Sequence, residues 1–585
     1  MRPELRSAFL RAATLSLCGA AALAGCQADD GPQPGAGPGE GPIGGLGTGS
    51  ASKSGKALPI SGGTLVGVGV SRALASDPEN DVVWRVDTGT AAFGGRLLGP
   101  IELEPGDEPG RIVAGAQNRA HVLARRGGVV VTVDVQSGKI LERRQVCAAP
   151  RGIDLDVARG DLVVACLHGE LVTLPERGGE ATRRLRLDPD LRDVVVDGER
   201  VLVSRFRSAE ILVLDRQGVE IQRTRPFAAE GRTASVLWRM APRPGGGAVL
   251  AYQAALPEAP AIATTPDAYG GVSSPPVVTT EVAIIPPGDG TIAGFEHPVT
   301  PLTGHALPVD VVALPDGGIA LLGAGSGVVS VFGDAGPSQD CADPSGCEPV
   351  GLAWVEGAGL VTQYRSPAKV GRVKLPVQAP VDRGHTIFHR APRGSVACAS
   401  CHPEGGDDGI VWQFQEGPRR TQYIAGGIGD TLPFHWAGDM RTMNELMSLV
   451  FVERMGGASL GANDTSALER WMHGVERLPA PELDEAQRLL AAEGRALYES
   501  KELGCVDCHA GPQHTSPSNF DIGKGERFQP GRLVDLAARA PYMHDGCAAT
   551  LRDRFDPSCG GDSHGDVSTL SEAELDALVV YLETL

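Results

Sequence analysis

The sequence predicts two architectures in one chain: an all-β body of about seven similar blades, then a C-terminal region that is mainly α-helical and built twice. Three observations carry this prediction. Val-rich runs with similar endings recur between residues 58 and 377; aromatic, Met and His residues concentrate after about residue 380; and a Cys-x-x-Cys-His cassette occurs at 398–402 and again at 505–509. At 585 residues the chain exceeds what one core organises, so several units are expected.

Composition narrows the functional classes. With 53 Lys and Arg against 72 Asp and Glu the net charge is −19, and no basic stripe offsets it, which argues against nucleic-acid partners. Glycine is abundant (79) and aromatics are scarce at 4%, a balance that favours tight-turned β structure.

The first element is an export signal. Arg2, Arg6 and Arg11 precede an apolar run from Ala12 to Ala24 that is too short to span a bilayer. It ends in Leu23-Ala24-Gly25-Cys26, which resembles the bacterial lipobox and implies removal of residues 1–25 and lipidation of Cys26. An ordinary secretory peptide with a chance cysteine is the alternative. Residues 26–57 are so rich in Gly, Pro and Ser that they cannot offset the entropy of ordering, so they read as a disordered tether. No later segment is apolar for some eighteen residues, and the expectation is a lipoprotein on the periplasmic face or outer membrane of a bacterium, membrane-bound through its lipid only.

Residues 58–378 read as the β body. The endings VVWRVDT (82–88), VVVTVDV (129–135), GELVTLP (169–175), AEILVLD (209–215), EVAIIP (281–286), GVVSVFG (327–333) and VGRVKLP (370–376) each follow a shorter strand-like run closed by Gly, Asp or Asn. Where nothing is inserted the period is about 40 residues, the size of a β-propeller blade. Seven endings give about seven blades, with an inserted loop around 255–280. An array of β-sandwiches is the rival. The histidines here, His121, His168, His297 and His305, are scattered and do not form a metal pattern.

Beyond PVQAPVDRG the spacing becomes helical. Apolar residues fall at steps of three and four in 440–455, 463–478, 483–500 and 570–585. Asn463 or Asp464, Asp484 and Ser571 occupy the N-cap positions. Residues 379–480 and 481–585 are the two copies.

Of twelve cysteines, Cys18 leaves with the signal, Cys26 takes lipid, and Cys398, Cys401, Cys505 and Cys508 belong to the cassettes. The other six fall into local couples, Cys147 with Cys166, Cys341 with Cys347 and Cys547 with Cys559, read as three disulfides of an exported protein. Each cassette has the attachment signature of c-type haem, two thioether sulfurs and a proximal ligand, here His402 and His509. A redox dithiol does not require the following His, and a zinc site built from both cassettes is the bland alternative.

Each cassette sits in a similar frame, an aromatic ahead (Phe388, Tyr498) and a closing helix behind, as in a small cytochrome c fold. The copies align as PFHWAGDMRTMNEL (433–446) with PYMHDGCAATLRDR (541–554), and MGGASLG (from 455) with CGGDSHG (from 559). Residues 381–585 resemble the bacterial di-haem cytochrome c peroxidase family, which includes the methylamine-utilisation maturation enzymes. The motifs that carry the resemblance are CASCHPEG, FHWAGD, CVDCH and RAPYMHDGCAATL; the β body lies outside it.

The resemblance implies two haems, a Ca²⁺ between the haem domains, a small cytochrome or similar redox partner, and hydrogen peroxide as a substrate. It places Met455 of ERMGGASLG as the sixth ligand of the first iron; Met440, Met443 and Met447 are read as core. His435 and Trp436 correspond to a stretch between the haems, with Trp436 either an electron relay or a structural Trp. For the second iron the family position falls on Ser558, beside Cys559, and neither suits. His564 is preferred, an open or water-bound iron is the rival, Met543 is the alternative, and His514 and His544 are assigned to loop or propionate hydrogen bonds. Three functional readings follow: a membrane-tethered electron-transfer protein whose propeller docks or senses, a peroxidase, or a propeller-based binding protein with an accessory haem domain.

Overall fold

The computed structural model describes residues 55–585 apart from 91–93, 230, 259–275, 299–301, 303, 333–345 and 393–395. Cys26, the export signal and nearly all of the tether therefore lie outside the described residues, as does most of the loop around 255–280. The chain forms a seven-bladed β-propeller with blades at 65–102, 109–145, 150–186, 191–224, 233–285, 310–332 and 348–374. Each blade is antiparallel. The fifth and sixth have three strands among the described residues and the others four. The innermost strands, Leu65–Gly67, Pro109–Ala114, Pro150–Asp156, Leu191–Asp197, Thr233–Pro242, Asp310–Ala313 and Glu348–Val355, pack in ring order, the last against the first.

Six of the seven endings are third strands of their blades. The seventh is not: 370–376 is broken between Lys369–Val370 and Val373–Lys374, and the long hairpin of that blade is Glu348–Val355 with Gly359–Ser366. Nor do the central strands alternate. Val130, Val131 and Val133 are all fully buried, because a neighbouring blade covers each face, and such strands become continuous apolar runs. Leu74 and Val83 of the first blade meet Val122 and Val131 of the second in one such layer.

The C-terminal region is less helical than expected. Its helices are α1 (Arg383–His389), α2 (Cys398–Cys401), α3 (Met443–Leu446), α4 (Ala462–Gly474), α5 (Glu485–Tyr498), α6 (Cys505–Cys508) and α7 (Glu572–Glu583), and three of these are four-residue turns. The apolar run expected as one helix over 440–455 is α3 followed by a π-helix, Met447–Arg454. Asp484 and Ser571 cap α5 and α7 with reciprocal capping boxes. Asp464 does not cap α4, whose N-cap is Gly461; it pairs instead with Arg383 of α1.

The duplication is visible in packing. Gly384 of α1 lies against the Ala467 carbonyl of α4, where a Cβ would come within 2.3 Å of the oxygen, and Gly494 of α5 meets Ala577 of α7 the same way at 1.9 Å. One turn further along, Phe388 packs on Trp471 with ring centres 4.6 Å apart, and Tyr498 on Tyr581 at 5.3 Å. Only glycine permits these crossings.

The propeller and the first helical copy share one hydrophobic core. Phe206, Trp238, Leu307 and Leu352 of the blades cluster with Phe388, Ala399, Trp412 and Trp471. Residues expected to end the tether join it: Ala57 is buried and its carbonyl accepts from the Trp471 indole at 2.8 Å. Packing against this core thus includes Ala57.

Disulfides link Cys147 with Cys166 and Cys547 with Cys559, with Cα separations of 6.4 and 5.7 Å. Cys347 is also disulfide-bonded; Cys341, its expected partner, lies outside the described residues.

Candidate haem sites

The first cassette lies on α2, a single turn capped by the Ser400 hydroxyl accepting from the Ala397 N–H at 3.1 Å. Behind it opens a cavity of about 290 Å³ lined by Cys398, Cys401, His402, Trp436, Met447 and Met455 among others. The two thiols and the imidazole thus face the same space as Met455. Burial pushes the Cys398 thiol up to about 12. Burial also lowers the pKa of His402, leaving a neutral ring. His402 Nδ1 donates to the Gly406 carbonyl at 3.3 Å, an outer-shell bond of the kind that orients a metal-bound imidazole.

Met455 is reached by an unusual piece of helix. Its N–H donates to the Val450 carbonyl, five residues back, at 2.9 Å, continuing the π-helix. Such insertions re-aim side chains and recur at functional sites. Met440 and Met443 are buried core as expected, but Met447 lines the cavity as well, as does Met472 of α4, so three methionines border it.

The second cassette, on α6, has no buried residue in its helix. His509 Nδ1 donates to the His514 carbonyl at 2.9 Å, and the Tyr498 hydroxyl donates to the His509 carbonyl at 2.6 Å. Burial of the ring lowers the pKa of His509 to about 4. The fold sets His564 against it: the two imidazole centres are 6.0 Å apart with planes inclined by 33°. Among the described residues, His564 Nδ1 is buried without a hydrogen-bond partner. Met543 instead holds a left-handed turn position at φ 72°.

The structural repeat corrects the sequence alignment of these regions. His402 and His509 stand 107 residues apart; the matching bridges Phe434 with Met440 and Tyr542 with Ala548, 108; and the crossing glycines Gly384 and Gly494, 110. Met455 and His564 are separated by 109, within the range of these offsets, whereas Met455 and Cys559 are separated by 104, so the spacing pairs Met455 with His564. Gaps in the loop before the closing helix hid this in the sequence.

The same repeat relates Trp436 to His544, and the two rings meet edge-on at 6.2 Å. Trp436 Nε1 donates to the Arg420 carbonyl at 2.7 Å. Its ring edge lies 3.4 Å from where a Cβ on Gly531 would be, and the Gly531 backbone neighbours the His509 ring. A packed contact therefore runs from the first cavity to the second cassette. His544 stacks on Phe528 at 4.0 Å, and His514 Nδ1 meets the Tyr498 hydroxyl at 3.1 Å, in keeping with loop roles. Among the described residues no group of three or more His, Cys, Asp or Glu side chains is arranged to hold a free metal ion, so the Ca²⁺ expectation gains no ligand cluster.

The residues present fit a c-type haem in each copy: paired thiols, an imidazole held through Nδ1, and a second side chain suited to iron nearby.

Sequence reasoning missed what anchors the first cassette. Glu404, two residues past His402, forms ion pairs with Arg151 and Arg192 of the propeller. Asp407 is fully buried among Arg420 at 2.7 Å, Arg539 of the second copy at 3.4 Å and Arg207 of the propeller at 3.7 Å. The Pro-Glu-Gly-Gly-Asp-Asp tail of the cassette was the signal available, acidic residues beside a buried site.

No protein-family model matches the chain. Among curated proteins it is 27% identical over 262 residues to hydrazine synthase subunit gamma of Kuenenia stuttgartiensis, covering 33% of this chain and 73% of that one. It is 31% identical over 144 residues to Cytochrome-c peroxidase IdrP2 of Pseudomonas sp. (strain SCT), covering 16% of this chain and 39% of the relative. Among solved structures, Kuenenia stuttgartiensis hydrazine synthase matches 56% of this chain and 98% of its own at 16% identity and a TM-score of 0.42. A catalytically inactive virginiamycin B lyase from Staphylococcus aureus matches 53% and 95% at 11% identity and a TM-score of 0.37. The chain is thus related, at low identity, to a cytochrome-c peroxidase and to hydrazine synthase subunit gamma, and it carries a seven-bladed propeller.

Proposed function

We propose that this protein is a di-haem c-type cytochrome that transfers electrons, with Met455 completing the first iron site and His564 the second. One observation carries the reading: each cassette imidazole has a second iron-competent side chain near it, Met455 lining the same cavity as His402 and His564 lying 6.0 Å from His509 between ring centres. With ring centres 6.0 Å apart, His509 and His564 would be the residues at hand to hold a haem iron in the second copy.

A c-type haem supplies a one-electron couple at its iron. The chain's residues do the rest. Cys398 with Cys401, and Cys505 with Cys508, provide the thioether sulfurs. The carbonyls of Gly406 and His514 hold the two proximal rings in one tautomer through Nδ1. Trp436 and Gly531 supply a continuous contact between the sites. In this reading Cys26 anchors the protein by lipid at a bacterial membrane face, and the acidic chain steers toward a basic redox partner.

A second reading, peroxide reduction, is favoured by the 31% identity to Cytochrome-c peroxidase IdrP2. Steady-state turnover of hydrogen peroxide with a reduced small cytochrome as donor separates the two. The electron-transfer reading expects no turnover above that of free haem; saturable, enzyme-level turnover would replace it with the peroxidase reading.

A further inference from the structure

The propeller reaches the first cassette through one carboxylate. Glu404 holds a left-handed backbone conformation (φ 54°, ψ 23°) that a residue with a Cβ adopts only at a cost. That conformation belongs to a tight turn in which the Gly405 N–H bonds the His402 carbonyl at 3.0 Å and the Gly406 N–H bonds the Pro403 carbonyl at 2.9 Å. The same turn presents the Gly406 carbonyl to His402 Nδ1.

The side chain of Glu404 enters the propeller axis, where successive innermost strands each offer an arginine: Arg111, Arg151, Arg192 and Arg239. Asp193 pairs with Arg111 and Arg239 from within the propeller. Among the described residues, Glu404 is the only carboxylate that ion-pairs with Arg151 or Arg192, at 2.7 Å from Arg192 Nη1. The Arg151 and Arg192 side chains are 5% and 2% exposed, so these charges are fixed in a medium of low polarity. The propeller therefore leaves two buried cations for a partner that the haem cassette itself delivers, one residue beyond the proline that follows the proximal histidine.

We infer that Glu404 is a positioning residue through which the propeller sets the reduction potential of the first haem, so that the propeller is a tuning body built into the electron-transfer unit. This rests on the two-haem reading above. Two effects act in series: the ion pairs hold the turn that presents the Gly406 carbonyl to the proximal ring, and the balance of Glu404 against Arg151 and Arg192 fixes the local charge that the iron senses. Removing the carboxylate leaves an excess of positive charge and favours the ferrous state; removing an arginine does the opposite.

The test is a spectroelectrochemical titration of the full-length, haem-loaded protein and of Glu404→Gln, Arg151→Gln and Glu404→Asp. Glu404→Gln should move the first haem's midpoint potential positive, Arg151→Gln should move it negative, Glu404→Asp should return it toward the parent value, and the second haem should stay in place. Opposite signs are the readout that packing damage cannot produce. Arg125→Gln, which changes an arginine that faces Glu404 without pairing with it, is a milder variant whose shift should be negative and smaller. Shifts of the same sign, equal shifts of both haems, or no shift in a protein carrying two haems would overturn the inference alone. Fewer than two haems in the parent protein would overturn the reading beneath it as well.

Discussion

The two cassettes share a sequence pattern, a turn of helix, a proximal hydrogen bond and a helix crossing closed by glycine, yet they live in different surroundings. The first is sunk between the propeller and its own helices; Ala399 and Ser400 of α2 are buried, and Gln253 of the propeller donates to the Ser400 carbonyl at 2.7 Å. The second stands at the surface, with no buried residue in α6. In the proposed reading the distal side chains differ as well, Met455 in the first site and His564 in the second. Methionine ligation raises an iron's reduction potential, and so does exclusion of water. Duplication supplied two equal sites, and burial against a foreign domain made them unequal.

The largest effect should come from removing that domain. Deleting residues 58–377 strips one wall from the core that holds Phe388 and Trp471 and leaves Glu404 and Asp407 without their propeller arginines. A haem determination on the truncated chain should find the second haem kept and the first lost. Retention of both haems with unchanged spectra would mean the propeller is only a docking body, as a sequence-level reading of separate domains supposes.

A smaller and symmetric effect should follow at the helix crossings. Gly384→Ala and Gly494→Ala each push a Cβ into a carbonyl oxygen at 2.3 and 1.9 Å, and overpacking of this kind costs about 1–3 kcal/mol. Thermal unfolding should report losses of that order from both, which sharpens the view that the copies are one fold; a neutral result in one copy would separate them.

A further effect is on pH dependence, to which α1 of the first copy contributes. His385 and His389 of α1 stack at 4.2 Å between Trp471 and the propeller. Burial lowers the pKa of His389 to about 3 and that of His385 well below its usual value. The unfolded chain binds protons near pH 6.5 that the folded chain refuses, so stability is complete above that pH and falls below it, by up to ~1.4 kcal/mol per pH unit for each histidine. His389→Gln should flatten the decline in unfolding midpoint between pH 6.5 and 4; an unchanged slope would assign the decline elsewhere.

Much of this was legible in the sequence. The blade count could be read from strand endings because five of the blades repeat a largely buried third strand, and the cassettes because covalent attachment requires a fixed spacing. Asp484 and Ser571 were legible as caps since their partners lie three residues away. What could not be read depends on contacts across hundreds of residues. Glu404 looks like a loop acid until Arg151 and Arg192 are placed around it. Met447 looks like core until the π-helix turns it into the cavity. The match of Met455 with His564 is hidden by loop gaps and emerges only once Gly384 and Gly494 fix the frame.

The account depends most directly on the identity of the two distal ligands. Near-infrared magnetic circular dichroism of the oxidised protein should resolve one histidine–methionine and one bis-histidine low-spin haem, with Met455→Ala abolishing the first signature and His564→Ala the second. A high-spin haem in the parent protein, or two identical signatures that neither substitution alters, would contradict it.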